Sequence, residues 1–447
     1  MTTAALASTF IDLATLEPGE DLADLAPLEA VIGAARVVAI GESTHYCHEF
    51  YQLRHRLTRF LVERLGFTAV AFESGFPEAW LVDDWIGGGP GDVADVAERG
   101  FTYLFGRCAE MRELLAWLRA LNGGRQDPVR CYGIDLPASC GSLRPALRGV
   151  ESFLASADPP LVPRLGRLRE LASSFVAADP ASDSEARAAL RAYCALRKSD
   201  RDELTGLLAD LSARFQAARL DYIQSAGQPG YDVARQQLRV AVQLDAWFRD
   251  YAAAAAGEHA FFDVNIRDAA MAETTEWILE RSERLVILAH NLHIQRTPYG
   301  LTWLGTGDEP ASASSLGHHL SARLGAEYLA IGTTFAAGEV IGIDEGDGDT
   351  KGWDVKDVVR PLGPAGTDVI DGLLAAVHPR PGILDLRALG GDARQLVASA
   401  GRMRCLDQII DVPALDAFDV LAHVLEISLW RSAATSILLA SPLRPST

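Results

Sequence analysis

Closely spaced cysteines are missing from this sequence. Its six cysteines are scattered over 447 residues, and none belongs to a CxxC pair. Disulfide scaffolds and zinc ribbons both need cysteines at short, regular spacing. We therefore expect reduced thiols and a cytoplasmic protein. Residues 1–27 agree with that expectation, because they are acidic and contain none of the basic residues with which a signal or transit peptide begins.

Basic residues are also scarce, since 41 lysines and arginines face 60 acidic residues and leave a net charge of −19. Proteins that bind the phosphate backbone need a concentrated basic face, so nucleic acid is not an expected partner. No apolar run is long enough to span a bilayer, so no membrane is expected either. The expected partner is a small molecule. The sequence does not determine the oligomeric state, and a monomer is the simplest expectation.

Short apolar runs are present, and four of them end in a residue that can carry or accept a proton. Such runs are typical of buried parallel strands. Ligands of open α/β sheets bind at the carboxyl edge of the strands, so the four ends should meet in one cleft. The runs are 37–40 before Glu42 and His45, 68–72 before Glu73, 129–134 before Asp135, and 285–289 before His290 and His293.

The middle of the chain has a different pattern, because residues 145–282 form long Ala-, Leu- and Arg-rich helical runs with few strand signals. The predicted fold class is α/β, with a mostly parallel central sheet flanked by helices and a large all-helical insertion. Residues 1–144 and 283–447 are predicted to form the two parts of the core, and 145–282 an insertion or lid. Residues 346–352 are predicted as a loop, and 441–447 as a frayed tail.

The helix predicted after the first strand has one apolar stripe, with a charged residue at the edge of that stripe. Phe50, Leu53, Leu57 and Leu61 fall on a single face at 100° per residue. Arg54 lies at the edge of this stripe, where an unpaired charge is costly. It therefore needs a buried anionic partner, and Glu42 and Glu73 are the two candidates.

His45 is the first candidate for catalysis. An imidazole that is neutral near pH 7 can act as a base on water, and Glu42 can orient its ring. The structural alternative is a histidine at a helix start that simply binds a neighbouring carboxylate. Ser43 and Cys47 lie nearby, but neither stands in the Gly-x-Ser-x-Gly elbow of an activated nucleophile, so capping and packing are the favoured interpretations.

His290 and His293 allow two interpretations. With His45 and Glu73 they could bind zinc or iron, although the HExxH pattern is absent. Alternatively, they could donate hydrogen bonds to a substrate carbonyl oxygen. Substrate contacts are predicted at four further positions: Asp135, His55, Trp80 and Tyr46. The structural alternative is a place on a helix face for His55 and a place in the core for Trp80.

These motifs closely resemble the erythromycin esterase family, in particular its type II members. The likeness extends from about residue 10 to residue 427, with a looser match in the helical middle and the last strands. The motifs that carry it are GESTH at 41–45, AFE at 71–73, GIDLP at 133–137 and AHNLHIQ at 289–295.

The resemblance implies an α/β core with a helical insertion and hydrolysis of the macrolactone ester of macrolide antibiotics, without metal or cofactor. His45 matches the family's proposed general base. Five other residues match the polar positions of the family's cleft: Glu42, Arg54, Glu73, His290 and His293. We expect His45 to activate water, His290 or His293 with Arg54 to stabilise the oxyanion, and Glu73 to fix the arginine or a histidine.

Two other functions use the same residues. A lyase or cyclase of natural-product biosynthesis could employ the acid/base cluster on a substrate that is not an ester. A ligand-sequestering, heme-binding or metal-binding protein could employ the histidines as ligands. Mass spectrometry after incubation with macrolides separates hydrolysis from these alternatives.

Overall fold

The structure is a computed structural model that describes residues 2–259, 264–301, 311–344 and 356–431. The predicted loop at 346–352 and tail at 441–447 lie outside these residues. Strands are numbered in chain order: β1 Phe10–Asp12, β2 Val37–Ile40, β3 Ala69–Gly75, β4 Arg130–Asp135, β5 Leu285–Leu288, β6 Tyr299–Leu301, β7 Ala311–Ala313, β8 Tyr328–Asp344, β9 Lys356–Leu362, β10 Gly382–Asp385, β11 Arg402–Cys405, β12 Gln408–Asp411 and β13 Val420–Ile427.

Helices surround these strands on both sides. They are α1 Thr2–Ala7, α2 Leu28–Ile32, α3 His48–Leu65, α4 Ala79–Ile86, α5 Val93–Gly100, α6 Ala109–Asn122, α7 Pro137–Cys140, α8 Arg144–Ala157, α9 Gly166–Ser173, α10 Asp183–Cys194, α11 Lys198–Ala217, α12 Arg219–Ala255, α13 Ile266–Leu279, α14 Asn291–Ile294, α15 Leu316–Leu324, α16 Ile370–Val377, α17 Gly391–Ser399 and α18 Ala414–Ala417. No helix among the described residues is long and apolar enough to cross a membrane.

The central sheet has nine strands in the order β1-β10-β13-β8-β2-β5-β3-β4, with β9 added to β8. All neighbours from β13 to β4 run parallel, and only the pairings of β1, β9 and β10 are antiparallel. The predicted fold class is therefore confirmed. Because β2, β5, β3 and β4 are parallel neighbours, the four polar strand ends lie on one edge of the sheet.

The described residues of the long connection between β4 and β5 form helices, from α7 to α13, and the loops that join them, without a strand. Helix α12 packs against α8, α11 and α13, and apolar side chains of these helices join the core on one face of the sheet. This is the helical region that the sequence predicts. The division of the chain at 145 and 282 stays a prediction.

Helix α3 packs on the other face of the sheet through the predicted stripe. Phe50, Leu53, Leu57 and Leu61 are buried, and Gly66 ends the helix in the left-handed conformation with φ 72°. Glycine adopts this conformation without the strain that a Cβ brings. The helix therefore holds the loop before it, residues 41–47, against the sheet edge.

Strands β3 and β4 approach unusually closely where β3 bulges between Phe72 and Gly75. A Cβ at Gly133 would overlap the carbonyl oxygens of Ser74 and Gly75. We expect Gly133→Ala to lower the free energy of unfolding by about 1–3 kcal/mol, the usual cost of overpacking, in urea denaturation. Gly124→Ala is the matched control, since nothing lies within 4 Å of its added methyl group. Equal stability of the two variants would contradict this packing argument.

Candidate active site

His45 lies in the loop between β2 and α3 and is held by one carboxylate. Its Nδ1 is 2.7 Å from Glu42 Oε1, while Glu42 Oε2 is 2.6 Å from Arg54 Nη1. Glu42 is therefore the buried partner that Arg54 requires. The His45 side chain is 25% exposed, and its Nε2 makes no hydrogen bond to any residue of the described ranges. One ring nitrogen is thus fixed and the other is open.

Charge and burial shift the pKa values of Glu42 and His45 in opposite directions. Burial raises the pKa of Glu42, but the Arg54 charge and the His45 hydrogen bond lower it more, so the net pKa lies below its usual value. Burial lowers the pKa of His45, but the hydrogen bond and charge of Glu42 and the charge of Glu73 outweigh it, so the net pKa lies above 6.5. Glu42 is thus an anion that makes His45 more basic.

Glu73, at the bulged end of β3, connects three neighbours. Its Oε1 is 3.1 Å from His293 Nε2 and accepts a 3.2 Å hydrogen bond from Arg267 Nη2, and its Oε2 accepts a 2.7 Å hydrogen bond from the His290 backbone N–H. Burial raises the pKa of Glu73, but the charge and hydrogen bond of His293 lower it far more. Glu73 was predicted to bind Arg54 or a histidine; Arg54 binds Glu42 instead, and Glu73 contacts His293 and a different arginine, Arg267.

His293 is held between two carboxylates. Its Nδ1 is 2.8 Å from Asp268 Oδ1, opposite the Nε2 contact with Glu73. Burial lowers the pKa of His293, but the charges of Asp268 and Glu73 raise it to about 10. The ring is therefore an imidazolium near pH 7, with Nδ1 hydrogen-bonded to Asp268 and Nε2 in ionic contact with Glu73.

His290 is neutral and equally committed. Its Nδ1 accepts the Leu292 N–H at 3.2 Å, as an N-cap does, and its Nε2 donates to the Ser43 carbonyl oxygen at 3.1 Å. Burial and the nearby charge of His45 lower the pKa of His290 to about 3. The predicted role of His290 as oxyanion donor therefore needs correction, because its ring keeps no free N–H, and the Nε2 of His293 faces the Glu73 carboxylate.

Asp135, at the end of β4, is connected through an arginine to the active-site cluster. This cluster consists of Glu42, His45, Arg54, Glu73, Arg267, Asp268, His290 and His293. Arg267 donates to it from Nε at 3.0 Å and from Nη2 at 2.6 Å, and the Tyr103 hydroxyl donates at 3.1 Å. This forked geometry fixes the plane of the guanidinium. Asp135 is fully buried and acts on Arg267, so it is not placed as a direct substrate contact.

Tyr46 follows His45 in the left-handed conformation, with φ 67°. Its hydroxyl donates to the Tyr103 carbonyl oxygen at 3.0 Å, and its ring centroid lies 5.8 Å from that of His45. The Phe105 ring centroid lies 5.5 Å from that of His45 and 5.7 Å from that of Tyr46, so the three rings pack together. A non-glycine residue with positive φ costs energy and is found mainly where function requires it. The structure thus places Tyr46 beside the His45 ring.

Trp80 and His55 do not join the cluster. Trp80 packs edge-on against Phe76 and Tyr132, and it lines a separate cavity of about 890 Å³ that also includes Arg130, the first residue of β4. Asp135, the last residue of β4, is at the opposite end. His55 packs against Trp117 at 5.5 Å, and burial lowers its pKa to about 3. The structure thus places both residues away from His45, and a substrate contact of either one at that histidine is not supported.

Two residues of the cluster were missed by the sequence reasoning as candidates for the site. Arg267 and Asp268 begin α13, whose N-cap Asn265 accepts the Asp268 N–H at 3.2 Å. They follow no strand, so the rule of polar strand ends did not select them. The Asn cap beside an Arg-Asp pair was the available signal. Among the described residues, no group of three or more His, Cys, Asp or Glu side chains has metal-holding geometry.

Comparison with known proteins places this arrangement in a family. The family profile described as "Erythromycin esterase" matches residues 62–427. Erythromycin esterase type II of Escherichia coli is 30% identical over 325 residues, covering 72% of this chain and 74% of that protein. Erythromycin esterase type I of Escherichia coli is 25% identical over 320 residues, covering 69% and 71%.

The solved structures agree on the fold. A mutant of the erythromycin esterase EreC in its open conformation superimposes with a TM-score of 0.75 at 20% identity, covering 93% of this chain and 97% of that one. A Bacillus cereus protein superimposes with a TM-score of 0.76 at 21% identity, covering 96% and 98%. The chain therefore belongs to the erythromycin esterase family, a family of carboxylic ester hydrolases.

Proposed function

We propose that this protein opens the lactone ester of macrolide antibiotics, and thereby confers resistance, with His45 as the base that activates water. The observation that supports this most strongly is the state of the His45 ring. Nδ1 is bound to the buried Glu42 anion and Nε2 is open to the cleft. A carboxylate on one nitrogen fixes the tautomer that leaves a lone pair on the other, which is what a general base needs.

The proposed reaction proceeds in two steps. His45 Nε2 takes a proton from water as the water oxygen bonds to the ester carbonyl carbon, and the carbonyl π electrons move to the oxygen. The tetrahedral intermediate then collapses, the bond between carbon and alkoxy oxygen breaks, and the His45 imidazolium gives its proton to the leaving oxygen. Glu42 stabilises the imidazolium that forms between the steps, and Arg54 holds Glu42. The products are a carboxylic acid and an alcohol.

The proposal includes neither metal nor cofactor, because each step uses a side chain of this chain. The helical region contributes to the site, since α13 supplies Arg267 and Asp268. We also propose a cytoplasmic location, which is supported by six cysteines that are all unpaired.

The pH dependence of this base is testable through Glu42. Because His45 must be neutral, we expect kcat/KM to fall as the pH drops through its pKa, which lies above 6.5. Glu42→Gln removes the charge that raises this pKa, so the acidic limb of the pH profile should shift to lower pH while kcat decreases. Glu110→Gln is the control, since Glu110 binds His48 in a second buried pair. The assignment fails if Glu42→Gln leaves the limb in place.

A panel of macrolides tests the function. Mass spectrometry after incubation should show the gain of one water and opening of the ring for at least one compound. Full activity in the presence of a strong chelator is expected as well. Inertness across 14-, 15- and 16-membered macrolides would reject this substrate class.

A further inference from the structure

The cluster lacks an obvious donor for the negative oxygen that forms when water attacks an ester. Such an oxyanion requires positioned N–H or O–H groups in a site from which water is excluded. The Nε2–H of His290 is bonded to the Ser43 carbonyl oxygen, and the two nitrogens of His293 face the carboxylates of Asp268 and Glu73. These partners compete with an oxyanion for the two rings, so a donor outside them is favoured.

Arg267 has an unused donor. Its Nε and Nη2 are bound by Asp135 and Glu73, whereas Nη1 makes no hydrogen bond to any residue within the described ranges. The Arg267 side chain is 22% exposed, compared with 5% for Arg54, which lies behind Glu42. Of these two guanidinium groups, Arg267 is the more accessible to solvent.

The surroundings of Arg267 suit it to this task. Asp135 fixes the guanidinium plane, and the Tyr103 ring lies below it, 5.5 Å from Cζ. The Phe105 ring lies 5.8 Å from the Tyr103 ring and 5.5 Å from the His45 ring, and Glu73 acts electrostatically on both His45 and Arg267. His45 and Arg267 are thus linked through shared neighbours, Phe105 and Glu73. A preorganised donor needs no rearrangement during the reaction.

We propose that Arg267 is a catalytic residue, whose Nη1 donates a hydrogen bond to the oxyanion formed as water attacks the ester carbonyl. This inference rests on the proposed hydrolysis. No proton leaves Arg267, because the electron pair of the oxyanion re-forms the carbonyl π bond as the bond to the leaving oxygen breaks, and His45 protonates that leaving oxygen. Arg267 thus takes the role that the sequence assigned to His290, His293 and Arg54.

Arg267→Lys tests this role. Lysine keeps the positive charge beside Asp135, but it has no second nitrogen in the place of Nη1 that could donate to the oxyanion. We expect kcat to fall about 100-fold or more, as for loss of one oxyanion donor, with little change in KM. Asp135→Asn is the comparison, since it weakens the ion pair but keeps Nη1. If Arg267 had only a structural role, kcat would fall more in Asp135→Asn than in Arg267→Lys.

Binding of methylphosphonate, a tetrahedral anion, separates this inference from the proposed function. The wild-type protein should bind it at least about tenfold more tightly than Arg267→Lys, a difference of roughly 1.4 kcal/mol in calorimetry. A macrolide-active wild type with an equally active Arg267→Lys overturns the role of Arg267 alone. A macrolide-inactive wild type whose phosphonate binding depends on Arg267 rejects the substrate class alone. If Arg267→Lys unfolds, guanidinium ¹⁵N NMR of wild-type Arg267 must shift with methylphosphonate, and an unchanged signal overturns the role.

Discussion

Replacing His45 with alanine is expected to lower kcat about a thousandfold, within the range that a positioned general base contributes. The fold should remain intact, because the His45 side chain is partly exposed and its ring is hydrogen-bonded to Glu42, which keeps Arg54 as its partner. Steady-state kinetics on a hydrolysed macrolide, together with thermal denaturation, measures both effects.

His319→Ala is the control for that variant, since His319 is an exposed histidine on α15. It should retain wild-type kcat. Added imidazole should restore part of the activity of His45→Ala, because the small base can occupy the space that the ring leaves. A His45→Ala protein that hydrolyses the macrolide at the wild-type rate would reject His45 as the base.

Glu73→Gln is expected to have the largest effect on stability. This one carboxylate compensates the His293 imidazolium and the Arg267 guanidinium, and it also accepts the His290 backbone N–H. Removing one partner from a buried ion pair leaves an uncompensated charge and typically costs about 3–5 kcal/mol. We expect a loss of that size in urea denaturation, together with a strong decrease in kcat.

Glu63→Gln is the matched control, because Glu63 pairs with Arg59 on the surface of α3, where an ion pair contributes at most about 1 kcal/mol. The pKa of His293 should also fall in Glu73→Gln, since one of the two charges that raise it is gone. NMR titration of His293 measures this shift. Equal stability of the two glutamine variants would show that Glu73 does not hold the cluster together.

The convergence of the site could be predicted from the sequence because parallel strands share one carboxyl edge. Glu42, Glu73, Asp135 and His290 each lie at or just after the carboxyl end of a strand, and β2, β5, β3 and β4 are neighbours in the sheet. The position of Arg54 in an apolar stripe likewise predicted its buried acidic partner. These features depend on local patterns and one general rule of α/β sheets.

The charged partners of the site could not be predicted in the same way. Arg267 and Asp268 come from a helix of the insertion, and nothing local in the sequence indicates that α13 returns to the sheet edge. Trp80 was misplaced because a helix of mixed polarity does not reveal which face meets the cleft. The saturation of His290 and His293 depends on hydrogen bonds between segments that are distant in the sequence, such as the one from His290 to the Ser43 carbonyl oxygen.

The proposed reaction requires that the oxygen of a water molecule activated by His45 bonds to the ester carbonyl carbon. A single turnover with excess enzyme in ¹⁸O-labelled water, with the products analysed by mass spectrometry, tests this requirement most directly. We predict one ¹⁸O atom in the new carboxyl group with the wild-type protein and no product on this timescale with His45→Ala. An opened macrolide whose carboxyl group contains no solvent oxygen would contradict the account, because the ring would then have opened by elimination.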